Sequence, residues 1–97
     1  MSTALDTQTT TKLKVPSLYK VVILNDDFTP LPFVVRVLTD IFSKSYPEAM
    51  ELAQNVHEQG RGIVGTYTKE VADLKVQEAN SAANQYKHPL KTISEVA

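Results

Sequence analysis

The chain has 97 residues, 42% of them hydrophobic and 22% charged, with a formal net charge of −1 and no cysteine. That length gives one domain with a modest core and at most one shallow site, and scattered basic residues in a near-neutral chain argue against a nucleic-acid partner. The lack of cysteine excludes a disulfide framework, a thiolate zinc site and a cysteine nucleophile; no apolar run approaches the ~20 residues that cross a bilayer, and the opening residues lack a secretory apolar core, so a cytoplasmic location is expected.

Residues 1–17 are Thr-rich and polar and are expected to form a flexible arm ahead of a domain over residues 18–97. The β-branched run Tyr19 to Leu24 predicts a strand that is covered on both faces or central in a small sheet. Asn25-Asp26-Asp27 ends it, since these residues suit turns better than ladders. Thr29-Pro30-Leu31-Pro32 then opens a helix, because a proline in the first turn gives up only an N–H that has no partner there. Its apolar face is Phe33, Val34, Val37, Leu38, Ile41 and Phe42. A second helix starts with Ser45 as N-cap and Pro47 in its first turn, buries Ala49, Leu52, Ala53 and Val56, and stops at Gln59-Gly60. Gly62 to Tyr67 reads as a strand. A third helix opens at Thr68 or Lys69 with the stripe Ala72, Val76, Ala79, Ala83 and Tyr86, and Lys87-His88-Pro89 breaks it before a closing strand over Leu90 to Val96. The expected fold is α+β: a three-stranded antiparallel sheet packed against three helices in the order β-α-α-β-α-β.

Asn25-Asp26-Asp27 admits four readings. It caps the turn through its own side chains, binds a metal, serves acid–base chemistry with a distant histidine such as His57, or holds a cation. A calcium loop fits poorly: an EF-hand alternates its ligands, whereas these acids are adjacent, and neighbours on an extended chain point in opposite directions. No nucleophile elbow, HExxH zinc motif or phosphate loop is present, so neither an enzyme nor a metal or cofactor is expected. A carboxylate, an amide oxygen and a neutral imidazole nitrogen do suit the three donors of an ammonium. Apolar helix residues beside the acidic turn would wall a pocket next to it, which describes a peptide N-terminus and its first side chain.

The run from Tyr19 through Asn25-Asp26-Asp27-Phe28-Thr29-Pro30-Leu31 resembles the signature of the ClpS family, adaptors of the Clp AAA+ protease. The resemblance continues through Phe33-Val34, Val56-His57-Glu58-Gln59-Gly60, Gly65 to Ala72 and His88-Pro89-Leu90, and covers about residues 17–95. It implies an adaptor that recognises N-degrons beginning with Leu, Phe, Tyr or Trp. On that resemblance Asn25, Asp27 and His57 hold the free α-amine, with Asp26 acting through water or charge, and the first side chain enters a pocket involving Thr29, Leu31, Val34, Ala53, Val56 and Leu90. Glu70 and Lys75 resemble the patch that docks on the N-terminal domain of a ClpA- or ClpC-type unfoldase, and the arm would be engaged during delivery. A monomer is expected. Because His57 accepts only as a neutral imidazole, binding should weaken as it protonates.

Three features depart from the family's common pattern: Leu31 and Ala53 stand where Met is frequent, and the tail after Leu90 is one residue shorter. Leu31, branched and stiffer than Met, is expected to gate the pocket mouth less adaptably, and with Ala53 the pocket is expected to be deeper or wider, which shifts preference toward Phe, Tyr or Trp or admits β-branched Ile and Val. These two residues also keep alive a different function, a paralogue that docks on the unfoldase and modulates it without reading N-degrons. A plain interaction domain of the ribosomal-stalk type has a similar architecture.

Overall fold

The computed structural model describes residues 17–97, so the expected flexible arm lies, except for Ser17, outside the described residues. Six elements follow in the expected order: β1 (Tyr19–Leu24), α1 (Leu31–Asp40), α2 (Tyr46–Gln59), β2 (Arg61–Tyr67), α3 (Lys69–Gln85) and β3 (Lys91–Val96). β1 is the middle strand, with β2 and β3 antiparallel on either side of it.

That central place accounts for the unbroken apolar run. Val21, Val22 and Ile23 are all inaccessible to solvent. Val21 and Ile23 join the core shared with the three helices. Val22 alternates to the outer face, where its cross-strand partners are Ile63 and Ile93. On the same face Glu95 pairs with Arg61 at 2.8 Å and Lys20 at 3.9 Å. Partly exposed pairs of this kind contribute at most ~1 kcal/mol each, so packing holds the sheet. The register with β2 slips between Val21 and Val22, leaving Val64 as an extra, buried residue that bends the strand.

Each helix is bounded by local chemistry. Ser45 and Glu48 form a capping box at the start of α2, and Gly60, with φ of 90°, ends that helix in the left-handed conformation. Thr68 caps α3 by accepting from the Val71 N–H. Asn80 uses its amide as a short substitute strand, accepting from the Thr92 N–H and donating to the Thr92 carbonyl, both at 2.9 Å.

Three details differ from the expected stripes. α1 stops at Asp40, and Phe42 is buried beyond the helix as the chain turns left-handed at Ser43. Val35, which the stripe omits, is buried because α2 packs on that flank. Tyr86 is the C-cap of α3 and half exposed, its ring set against Phe33 at 5.7 Å instead of in the core.

Candidate functional site

The end of β1 and the end of α2 are joined by backbone. Gly60 N–H donates to the Val56 carbonyl at 2.9 Å, and the Gly60 carbonyl accepts from the Asn25 N–H at 2.9 Å. No loop separates α2 from β2: Arg61, the residue after the cap, already pairs with Leu24. His57, in the last turn of α2, is therefore fixed beside the turn that opens with Asn25.

The two carboxylates of that turn do different work. Asp26 accepts from the N–H groups of Phe28 and Thr29 through Oδ1 and from the Thr29 hydroxyl through Oδ2, each at 2.7 Å. Burial pushes its carboxyl up, but these bonds and the nearby His88 outweigh that and hold it below the usual carboxylate value. Turn capping is thus real, and it uses Asp26. Asn25, Asp27 and His57 are exposed, and no side-chain hydrogen bond occupies them among the described residues. The sequence marks His88 as a helix breaker and as part of the ClpS resemblance but gives it no role at the site; its ring packs on Phe33 at 4.6 Å.

These residues open onto one pocket of about 190 Å³. Asn25, Asp26, Asp27 and His57 form its polar end, and Thr29, Leu31, Val34, Ala53, Val56 and Leu90 its walls. All the residues assigned from the sequence to an amine site or an apolar pocket therefore share one cavity. It is smaller than the ~300–1,000 Å³ of sites for drug-sized ligands, so it suits a single side chain next to a polar anchor. Val34, Ala53, Val56 and Leu90 belong equally to the core, which makes the pocket floor rigid. Gly62 adds to this: a Cβ there would lie 2.6 Å from Val56 Cγ2 and 3.3 Å from Leu52 Cδ1, so α2 rests directly on β2.

A family model described as "ATP-dependent Clp protease adaptor protein ClpS" matches residues 14–93. The chain belongs to the ClpS family. It is 48% identical over 86 residues to the ClpS adapter proteins of Burkholderia cenocepacia and Burkholderia mallei, spanning 89% of this chain and 83% of each relative. Among solved structures it is similar to Agrobacterium tumefaciens ClpS2 bound to L-phenylalaninamide, with a TM-score of 0.84 and 32% identity, covering 86% of this chain and all of that one. The α+β architecture is that of ClpS, and the chain is a member of a family of adaptors for the Clp protease.

Glu70 and Lys75 do not line the pocket. Glu70 is exposed in the first turn of α3, near the exposed apolar side chains of Val71 and Leu74. Lys75 is half-buried and donates to the Ile41 carbonyl at 2.7 Å, which places a cation at the C-terminal end of α1. Among the described residues of this ClpS-family chain no helix is long and apolar enough to cross a membrane, and no group of three or more His, Asp or Glu side chains is placed to hold a metal ion.

Proposed function

We propose that this chain reads N-degrons: it binds the free α-amine and bulky hydrophobic first residue (Leu, Phe, Tyr or Trp) of substrate proteins and delivers them to a Clp AAA+ unfoldase. The observation that carries this is the division of one small pocket into a polar, acidic end that offers acceptors and an apolar body. Asn25 Oδ1, the Asp27 carboxylate and a neutral His57 nitrogen match the three donors of an ammonium, and the acidic turn supplies its counter-charge. The bound L-phenylalaninamide of the Agrobacterium relative is a free amine with an aromatic side chain, which supports the same reading here.

The energies are adequate. Burying an aromatic side chain removes ~150–250 Å² from water, worth roughly 4–6 kcal/mol. Charge-assisted hydrogen bonds to the amine add ~1.5–3 kcal/mol each before desolvation is subtracted. After the cost of immobilising the peptide end, a micromolar Kd (about −8 kcal/mol) follows. Acetylation removes the charge and two donors and strands the acceptors, so a free N-terminus is required.

Delivery needs a second surface. The exposed Val71 and Leu74 beside Glu70 on α3 support that face, remote from the pocket, as the contact with an unfoldase N-terminal domain. Fluorescence anisotropy with peptides differing only in residue one, plus N-acetyl-Phe, tests the reader. Micromolar binding of the bulky apolar set, abolished by acetylation, is expected. Absence of binding alongside capture by an unfoldase N-terminal domain would instead identify a docking paralogue.

A further inference from the structure

A second hollow of about 200 Å³ adjoins the pocket, lined by Leu31, Pro32, Val35, Tyr46 and Met50. Leu31 belongs to both cavities and is the partition between them. The lining carries no charged side chain, and its one polar side-chain group is the Tyr46 hydroxyl.

The two hollows are spaced for one extended peptide. Tyr46, Met50, Ala53 and His57 recur at intervals of four, three and four along α2, so they form one stripe. His57 marks the amine end, Ala53 the first pocket, and Met50 with Tyr46 the second hollow. At 1.5 Å per residue, the midpoint of Tyr46 and Met50 lies about 7–8 Å along the helix from Ala53. An extended peptide puts its first and third side chains on the same face about 6.5–7 Å apart and turns the second away.

We propose that this hollow is a second recognition subsite, which takes an apolar side chain at the third residue of the bound peptide. This rests on the N-degron reading above and extends it from one residue to two. The subsite makes recognition depend on residue three as well as residue one, so substrates that share a first residue are ranked by their third.

The test uses the full chain and fluorescein-labelled peptides Phe-Ala-Xaa with a common polar tail, where Xaa is Leu, Ala or Asp, together with Phe-Leu-Ala and an N-acetylated control. In the wild type, Leu at residue three should bind about five- to twenty-fold tighter than Ala, and Asp weaker than Ala. The Leu-to-Ala ratio should fall close to one in Met50→Glu and in the more exposed Tyr46→Glu, each ratio being taken within one variant. Equal binding of all three Phe-Ala-Xaa peptides would overturn the subsite and leave the first-residue reading intact. So would a preference at residue two alone, or a ratio that survives both substitutions. Failure of every free-amine Phe peptide to bind would overturn the subsite and the reading together.

Discussion

Asp26 and Asp27 stand side by side, yet removing each carboxylate should have a different consequence. Asp26 receives two N–H groups and a hydroxyl at 2.7 Å. Phe28 is exposed, so water can replace the bond to its N–H, whereas the N–H and hydroxyl of Thr29 are part-buried. Asp26→Ala should therefore cost about 1–2 kcal/mol, in the range of a lost helix cap rather than the sum of three charge-assisted bonds. For a domain this size that is a fall of roughly 4–16 °C in Tm. Asp27 makes no such bonds among the described residues, so Asp27→Ala should change stability by less than about 0.5 kcal/mol while weakening a free-amine peptide roughly ten-fold or more. Asp26→Ala should weaken binding too, because Asn25 and Asp27 flank the position it holds.

The pH dependence separates the two further. The folded carboxyl of Asp26 is depressed below its unfolded value, so its contribution is fully present above the unfolded Asp value of about 3.9 and is lost as pH falls through the lower folded one. Wild type and Asp26→Ala should differ in urea midpoint at pH 7 and converge in strongly acidic buffer. Urea titrations at several pH values and peptide anisotropy at pH 7 make the measurement. If Asp27→Ala lowers the midpoint and Asp26→Ala does not, the division of labour between the two carboxylates is wrong.

Other substitutions probe the frame around the pocket. Gly62→Ala would set a Cβ 2.6 Å from a methyl of Val56, and a β-branched helix residue has essentially one rotamer; a loss of about 1–3 kcal/mol in urea, with weaker peptide binding, is expected. Thr92 is buried with its hydroxyl unpartnered among the described residues, so Thr92→Val should raise the urea midpoint, by about 1 kcal/mol of stability. Ser45→Ala removes the N-cap of α2 and should cost about 1 kcal/mol, with no change in first-residue preference once the domain is folded. Ala53→Met adds side chain into an open cavity of about 190 Å³, so it should selectively weaken Trp- and Phe-first peptides with little thermal destabilisation; equal affinity for Leu, Ile and Trp peptides in wild type and variant would remove the case for a widened pocket.

Local signals were the legible ones. The apolar run of β1, Ser45 with Pro47, and Gly60 after Gln59 each act within a few residues, and the elements they bound lie within a residue or two of expectation. The pocket residues were legible for another reason: the ClpS resemblance supplied their grouping, which periodicity alone does not give. Contacts far along the chain stayed hidden. Val35 is buried by a neighbouring helix, Tyr86 leaves its stripe to meet Phe33, and Lys75 turns to the Ile41 carbonyl. The roles of Asp26 and Asp27 were hidden too, because an Asn-Asp-Asp string does not say which carboxylate faces the turn.

A 97-residue chain has little surplus stability with which to hold a separate binding site, and here the site costs few additional parts. Val34, Ala53, Val56 and Leu90 line the pocket and are also core, so packing that the fold requires anyway fixes the apolar walls. The polar end is set by the backbone bond from Asn25 to Gly60, made where a strand and a helix both terminate, and by the turn that Asp26 caps. Among the described residues, the side chains of Asn25, Asp27 and His57 at the pocket's polar end are exposed and make no internal hydrogen bond, and these are the groups on which the proposed amine would spend its donors. Truncating the larger walls, Val34, Val56 or Leu90, should therefore alter stability and preference together, whereas changes to those three should alter binding almost alone.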